Sequence, residues 1–229
     1  WGPFIASPQD VECEPGTQPA IGWDGAPSWA TLVGDSSTCV TGGRESAPAV
    51  KAAFNSFYSN APGPDGVGLR DHLVAVWGAV AERFAGLTGV AGYDLLNEPN
   101  YVEPIPESLA GYSEFISDSI EAIRATELDA DADPKPIFVE PIVMYPLPDT
   151  LPDPFIGADP GSDAPDTSAN LVFAPHNYAE SIGPKVLSVE QTFDVDQAGA
   201  DELGAALWIG EYGFWDTSAE TLSVARRFA

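Results

Sequence analysis

Positive charge is scarce in this chain. Lys and Arg total 9 against 35 Asp and Glu in 229 residues, a formal net charge of −26. A field of that sign repels nucleic acid and anionic membrane surfaces, so neither is expected as a partner. A solvated surface suited to salt accounts for the acidity without a binding role. Histidine is nearly absent: His72 and His176 are the two in the chain. Cysteine is limited to Cys13 and Cys39, with no second pair and no nearby histidine, which excludes a zinc site of ordinary spacing. Both cysteines lie in a stretch rich in Gly, Pro, Ser and Thr. A disulfide in an oxidising compartment is the first reading, and two free thiols in a cytoplasmic protein the second. No run of about 18 apolar residues occurs, so no membrane span is expected. No G-x-G-x-x-G or G-x-x-x-x-G-K motif follows an apolar segment, which counts against a nucleotide fold. Neither a cofactor nor a metal is expected.

What is present supports a large core, since 44% of the residues are hydrophobic. The chain opens on Trp1 and stops at Ala229 inside a helical pattern, so an internal piece of a longer protein is expected. Residues 1–47 are dense in turn-formers and read as one long loop region. Residues 48–229 read as β/α units. A short helix over 48–59 comes first. Leu69, Leu73, Val76, Trp77, Val80 and Phe84 then mark one face of a second helix, which Gly86 and Gly89 end. Residues 90–96 form an apolar strand, and Leu109, Tyr112, Phe115, Ile116, Ile120 and Ile123 mark the next helix. Strands follow at 136–140, 170–178 and 206–211, with a Pro/Asp/Gly-rich excursion over 144–169. A weaker helix falls at 188–203, and another starts near Ser218. Short apolar strands alternating with amphipathic helices predict a parallel sheet.

Polar residues collect where the strands end: Asn97 and Glu98, Glu140, His176 and Tyr178, and Glu211. In a β/α barrel that face carries the chemistry. Two carboxylates flanking an anomeric carbon are what glycoside hydrolysis requires, one to protonate the leaving oxygen and one to attack carbon or activate water. Glu98 and Glu211 each end an apolar run, in Asn97-Glu98-Pro99 and Gly210-Glu211-Tyr212-Gly213. Tyr178 could donate its hydroxyl to Glu211, and Asn97 could bond a sugar hydroxyl. A donor at Glu98 must hold its proton near neutrality, which burial or a charged neighbour would secure.

These motifs resemble glycoside hydrolase family 5, a cellulase-type retaining family on a (β/α)8 TIM barrel. Gly92-Tyr93-Asp94-Leu95-Leu96-Asn97-Glu98-Pro99 resembles its acid/base strand, His176-Asn177-Tyr178 its His-x-Tyr strand, and Ile209-Gly210-Glu211-Tyr212-Gly213 its nucleophile strand. Their order matches strands four, six and seven. The resemblance implies a partial barrel of about four parallel strands, spanning 1–229 as part of a catalytic domain. It implies Glu98 as acid/base, Glu211 as nucleophile, and Asn97, His176 and Tyr178 in support. The early Arg, the Asp-x-His strand and the last strand's Trp have no counterpart here. Residues 22–30 and 175–181 resemble the endoglycoceramidase-like branch, which releases whole glycans from glycolipids.

The expectation is therefore a secreted retaining endo-β-glycosidase that takes a carbohydrate or glycolipid substrate and is monomeric when full length. A β-glucanase of the same family and a non-catalytic carbohydrate-binding barrel are the alternatives. A metal-dependent hydrolase is disfavoured, because one of the two histidines lies on a helix. Tyr101 and Trp215 follow the two catalytic strands and could stack on sugar faces or simply pack. Trp23 and Trp29 are expected to anchor their loop. Glu140 reads as an ion-paired wall residue before a substrate contact. Glu82 and Arg83 read as a solvated face.

Overall fold

A computed structural model describes residues 12–19, 26–143, 145–146, 167–168, 170–181, 187–214 and 218–228. The first region is not wholly irregular. Strands β1 (Gln18–Pro19) and β2 (Cys39–Val40) pair antiparallel, and Cys13 and Cys39 form a disulfide across the loop. Trp23 lies outside the described residues. Trp29 stands in a short 3-10 turn, its ring edge-on to His72 at 4.8 Å, which fits an anchoring role.

Helices α1 (Pro48–Tyr58), α2 (Leu69–Phe84), α3 (Ile105–Asp129), α4 (Val189–Leu203) and α5 (Ala219–Phe228) alternate with strands β3 (Tyr93–Asp94), β4 (Ile137–Val139), β5 (Leu171–Phe173) and β6 (Ala206–Leu207) from α2 onward, except that no helix falls between β4 and β5 among the described residues. The four strands form one parallel sheet in sequence order. The apolar run at 90–96 pairs formally at two residues only, because the chain turns away before Asn97; the bond from Leu95 N–H to Phe138 O, 3.2 Å, continues the ladder. Helix α3 starts earlier and ends later than its apolar positions suggest, with a proline inside its first turn, where the missing N–H costs nothing.

The register explains the layers. Tyr93, Ile137 and Leu171 stand in one row, and Val139 and Phe173 point the same way. All five are buried. Tyr93, Ile137, Val139 and Leu171 pack against Tyr112, Phe115, Ile116, Ile120 and Ile123 of α3, whose spacing puts them on one face, while Phe173 packs with Ala200 and Leu203 of α4. Val76 departs from the expected helix face: it is exposed, at the rim of an apolar recess between α2 and Trp29. Gly111 is required where α3 crosses α1, since a Cβ there would lie 2.4 Å from Tyr58 O. Buried Arg70 ties the three helices, donating to Tyr58 O at 3.2 Å and Gly111 O at 3.3 Å and pairing with Glu114 at 2.6 Å. Helix α4 has a complete capping box at Ser188 and Gln191 and ends at Gly204, whose φ of 66° suits glycine.

The other face of the sheet is open among the described residues. Asp94 and Ala206 are exposed, Phe138 and Val172 are half-buried, and Trp208 is 60% exposed. Parallel sheets are ordinarily covered on both sides, so four strands present the inner wall of a partial barrel.

Candidate active site

The carboxyl ends of the strands converge. Beyond β5 and β6 the ladder continues through Trp208 N–H to Phe173 O (2.9 Å), Gly210 N–H to Pro175 O (3.0 Å) and Asn177 N–H to Glu211 O (2.9 Å). His176 and Glu211 thereby face each other as a parallel bridge. Beyond β3 the chain turns sharply, and Glu98 has φ 45°, the left-handed region. The turn is held on both sides. Glu98 N–H donates to Glu140 Oε2 at 2.7 Å, and Val143 N–H donates to Pro99 O at 3.0 Å. Tyr58 hydroxyl donates to Asn100 O at 2.5 Å, and Tyr112 hydroxyl donates to Glu140 O at 2.6 Å, fixing the end of β4.

His176 sits at the centre. Its Nδ1 is 3.0 Å from Glu98 Oε1 and 3.6 Å from Glu211 Oε2, and its Nε2 is 3.2 Å from Glu140 Oε2. The Nε2 proton is not aimed squarely at Glu140, so that contact is an ion pair more than a hydrogen bond. Burial alone would push the imidazole down. The carboxylates of Glu140 and Glu98, with the charge of Glu211, outweigh it and raise His176 to about 10, so the ring is an imidazolium at neutral pH. Tyr178 hydroxyl donates to Glu211 Oε2 at 2.7 Å. Desolvation and that carboxylate raise the phenol to about 12, which keeps it a donor.

The four residues Glu98, His176, Tyr178 and Glu211 are thus brought together, with Asn97 exposed beside Glu98. The burial expected for Glu98 is not found: 45% of its side chain is accessible, because the turn carries it over the sheet's end. A neighbour of like charge is found instead in Glu211, whose Oε2 shares His176 Nδ1 with Glu98 Oε1. Tyr101 stands elsewhere, half-buried against the main core with the Lys51 ammonium 4.6 Å from its ring centroid. Trp215 lies outside the described residues.

Two further carboxylates belong to this constellation. Glu140 is 2% exposed, an ion-paired residue of the wall as its strand-end position suggested. Asp94 projects onto the open inner face one layer below. Crowding by strand atoms and the like charges of Glu140 and Glu211 raise its carboxyl to about 6, although solvent reaching this side chain tempers the first cause. Its signal in the sequence was a lone charge inside an apolar strand. Glu98, His176 and Glu211 each offer a ligand atom within 4.8 Å of the others, close enough to bracket a cation. His176, as an imidazolium, already sets one positive charge between these carboxylates.

Comparison with known proteins identifies the family. The family described as cellulase, glycosyl hydrolase family 5, matches residues 49–227. Endoglycoceramidase I of Rhodococcus hoagii (strain 103S) is 30% identical over 139 residues, 57% of this chain and 25% of that protein. A crystal structure of an endogalactoceramidase superposes with a TM-score of 0.80 at 36% identity, covering all of this chain and 48% of that one. Endo-glycoceramidase II from Rhodococcus sp., solved with a cellobiose-like imidazole, shares the fold at 23% identity and a TM-score of 0.68, over 90% of this chain and 47% of its own. The chain therefore spans a quarter to a half of the length of these relatives.

Proposed function

The chain belongs to glycosyl hydrolase family 5, the cellulase family, and from that premise we propose that it forms part of the catalytic domain of a retaining endo-β-glycosidase. One observation carries the reading. A carboxylate oxygen of Glu98 and one of Glu211 lie within 4.8 Å of each other and of His176 Nδ1. Retaining enzymes hold their two carboxyl groups about 5–5.5 Å apart, whereas inverting enzymes leave about 6.5–9.5 Å for a water.

In the first step a Glu211 oxygen attacks the anomeric carbon, the glycosidic bond breaks, and the Glu98 proton passes to the departing oxygen. Tyr178 donates to Glu211 Oε2, the oxygen that also faces the imidazolium, and so holds the attacking carboxylate in place. In the second step Glu98 takes a proton from water. The water oxygen displaces the sugar from Glu211, and the product keeps its original configuration. Asn97, exposed beside Glu98, bonds a sugar hydroxyl in this reading. No cofactor enters either step.

The substrate class we assign is glycolipid, with the glycan released whole. Similarity to an endoglycoceramidase at 30% identity and an endogalactoceramidase at 36% supports it over a β-glucan substrate. The Cys13–Cys39 disulfide supports secretion, and no described helix is long and apolar enough to cross a membrane. A monomer is expected for the complete protein.

The test is Glu211→Gly in the complete protein, with added azide. Hydrolysis of an aryl β-glycoside should fall by roughly 10⁴-fold or more, and azide should restore turnover to a glycosyl azide of inverted configuration. Unchanged hydrolysis without azide would remove the nucleophile role. No turnover by the wild-type protein would favour a binding-only barrel. Glycosylceramides assayed beside β-glucans separate the two substrate classes.

A further inference from the structure

Glu140 has no part in the two bond-changing steps, yet it is the most enclosed charge at the site. Burying a carboxylate is costly unless partners compensate, and an apolar side chain would fill the wall more cheaply. Its contacts show what the charge is used for. One oxygen, Oε2, accepts from Glu98 N–H at 2.7 Å and faces His176 Nε2 at 3.2 Å. The first contact grips the main chain of Glu98 where φ is 45°, a conformation that a non-glycine residue keeps only when its surroundings impose it. The second occupies the far nitrogen of the ring whose Nδ1 addresses Glu98 Oε1 at 3.0 Å and Glu211 Oε2 at 3.6 Å.

We infer that Glu140 is a positioning residue for the reaction, a single buried oxygen that fixes the backbone of the proton donor and holds the imidazolium by charge between donor and nucleophile. It touches no substrate and acts through Glu98 and His176. The inference rests on the glycosidase reading and deepens it. The groups facing the imidazole are Glu98, Glu140 and Glu211, with Tyr178 edge-on at 6.4 Å and Asp94 one layer below. Removing the one buried negative charge among them lowers the proton affinity of His176 without opening the site.

Two variants of the complete protein divide the two tasks. Glu140→Gln keeps an acceptor for Glu98 N–H and removes the charge. His176 should then titrate at least one pH unit lower by imidazole NMR, its resonance identified by loss in His176→Phe. The value of kcat on an aryl β-glycoside should fall about 10-fold or more, with KM changed less than about threefold. Glu140→Asp keeps the charge and shortens the reach. It should leave the His176 titration near wild type and still lower kcat. A folded Glu140→Gln protein with wild-type kcat and wild-type titration overturns the inference. If that variant does not fold, wild-type kcat in Glu140→Asp overturns it instead. The NMR titration reads Glu140 whether or not the protein turns over substrate, whereas absence of wild-type turnover refutes the glycosidase reading alone.

Discussion

Strand β4 has a buried glutamate at each end, and the two are treated oppositely. Near its start, Glu127 of α3 is 1% exposed and fully matched. Its Oε2 takes Arg124 at 2.5 Å and its Oε1 takes Lys135 N–H at 3.0 Å. At its finish, Glu140 shares one imidazolium with Glu98 and Glu211, so three carboxylates face a single cation. The balanced buried pair lies within α3, and Glu127 locks that helix to the strand by also taking Lys135 N–H just before β4. A cluster with surplus negative charge gains little stability, and its protons and lone pairs are available for chemistry. The contrast follows the division of a β/α barrel into a structural end and a reactive end.

Breaking the balanced end should have the largest effect on the fold. Glu127→Ala leaves the Arg124 guanidinium buried without its carboxylate and frees Lys135 N–H from its acceptor, which costs about 3–5 kcal/mol. Urea unfolding should report that loss, while activity per folded molecule in the complete protein stays within about twofold. A loss under about 1 kcal/mol would show that the pair is no lock, and the contrast would fail at its structural end.

At the reactive end the expectation reverses. Tyr178→Phe removes one donor from Glu211 and leaves a ring of the same shape. A hydrogen bond to a charged group is worth about 1.5–3 kcal/mol, so the proposed nucleophile step should slow by roughly 10- to 150-fold. The melting temperature should move by no more than a few degrees. A drop in stability with unchanged kcat would make Tyr178 a structural residue.

The architecture was largely legible because periodicity carries it. The α3 series from Tyr112 to Ile123 and the apolar strands over Ile137–Val139 and Leu171–Phe173 are buried as their spacing requires. Glu98, His176, Tyr178 and Glu211 were legible because each follows an apolar run. The role inferred for Glu140 was not, since a carboxylate at a strand end looks the same whether it meets solvent or a histidine on the neighbouring strand. The left-handed turn at Glu98 was hidden for a related reason: a contact from β4 sustains it, and no local preference for that conformation marks it in the sequence.

Asp196 is a third buried carboxylate, and it has no cationic partner among the described residues. In α4 the positions Val189, Thr192, Asp196, Ala200 and Leu203 recur every three or four residues, and all five are buried. The acid thus stands on the apolar stripe. Asn177 Nδ2 approaches its Oδ2 at 3.4 Å, and Oδ1 finds no partner among the described residues. Burial raises its carboxyl to about 7 against the lowering pull of Tyr145 and Asn177. A carboxyl raised above its unfolded value of about 3.9 holds a proton in the folded state that the unfolded chain has released. The contribution to stability is therefore present at low pH and disappears as pH rises from about 4 through 7. Asp196→Asn stays neutral throughout but carries the cost of its amide at every pH, so its stability should lie below wild type near pH 4 and exceed it above pH 7. The gain should be on the order of 1 kcal/mol, the amide's own unpaired hydrogen offsetting the rest. Urea titrations at both pH values measure it. A pH-independent difference would mean that the buried acid is compensated, and the ranking of the three glutamate and aspartate environments by charge balance would not hold.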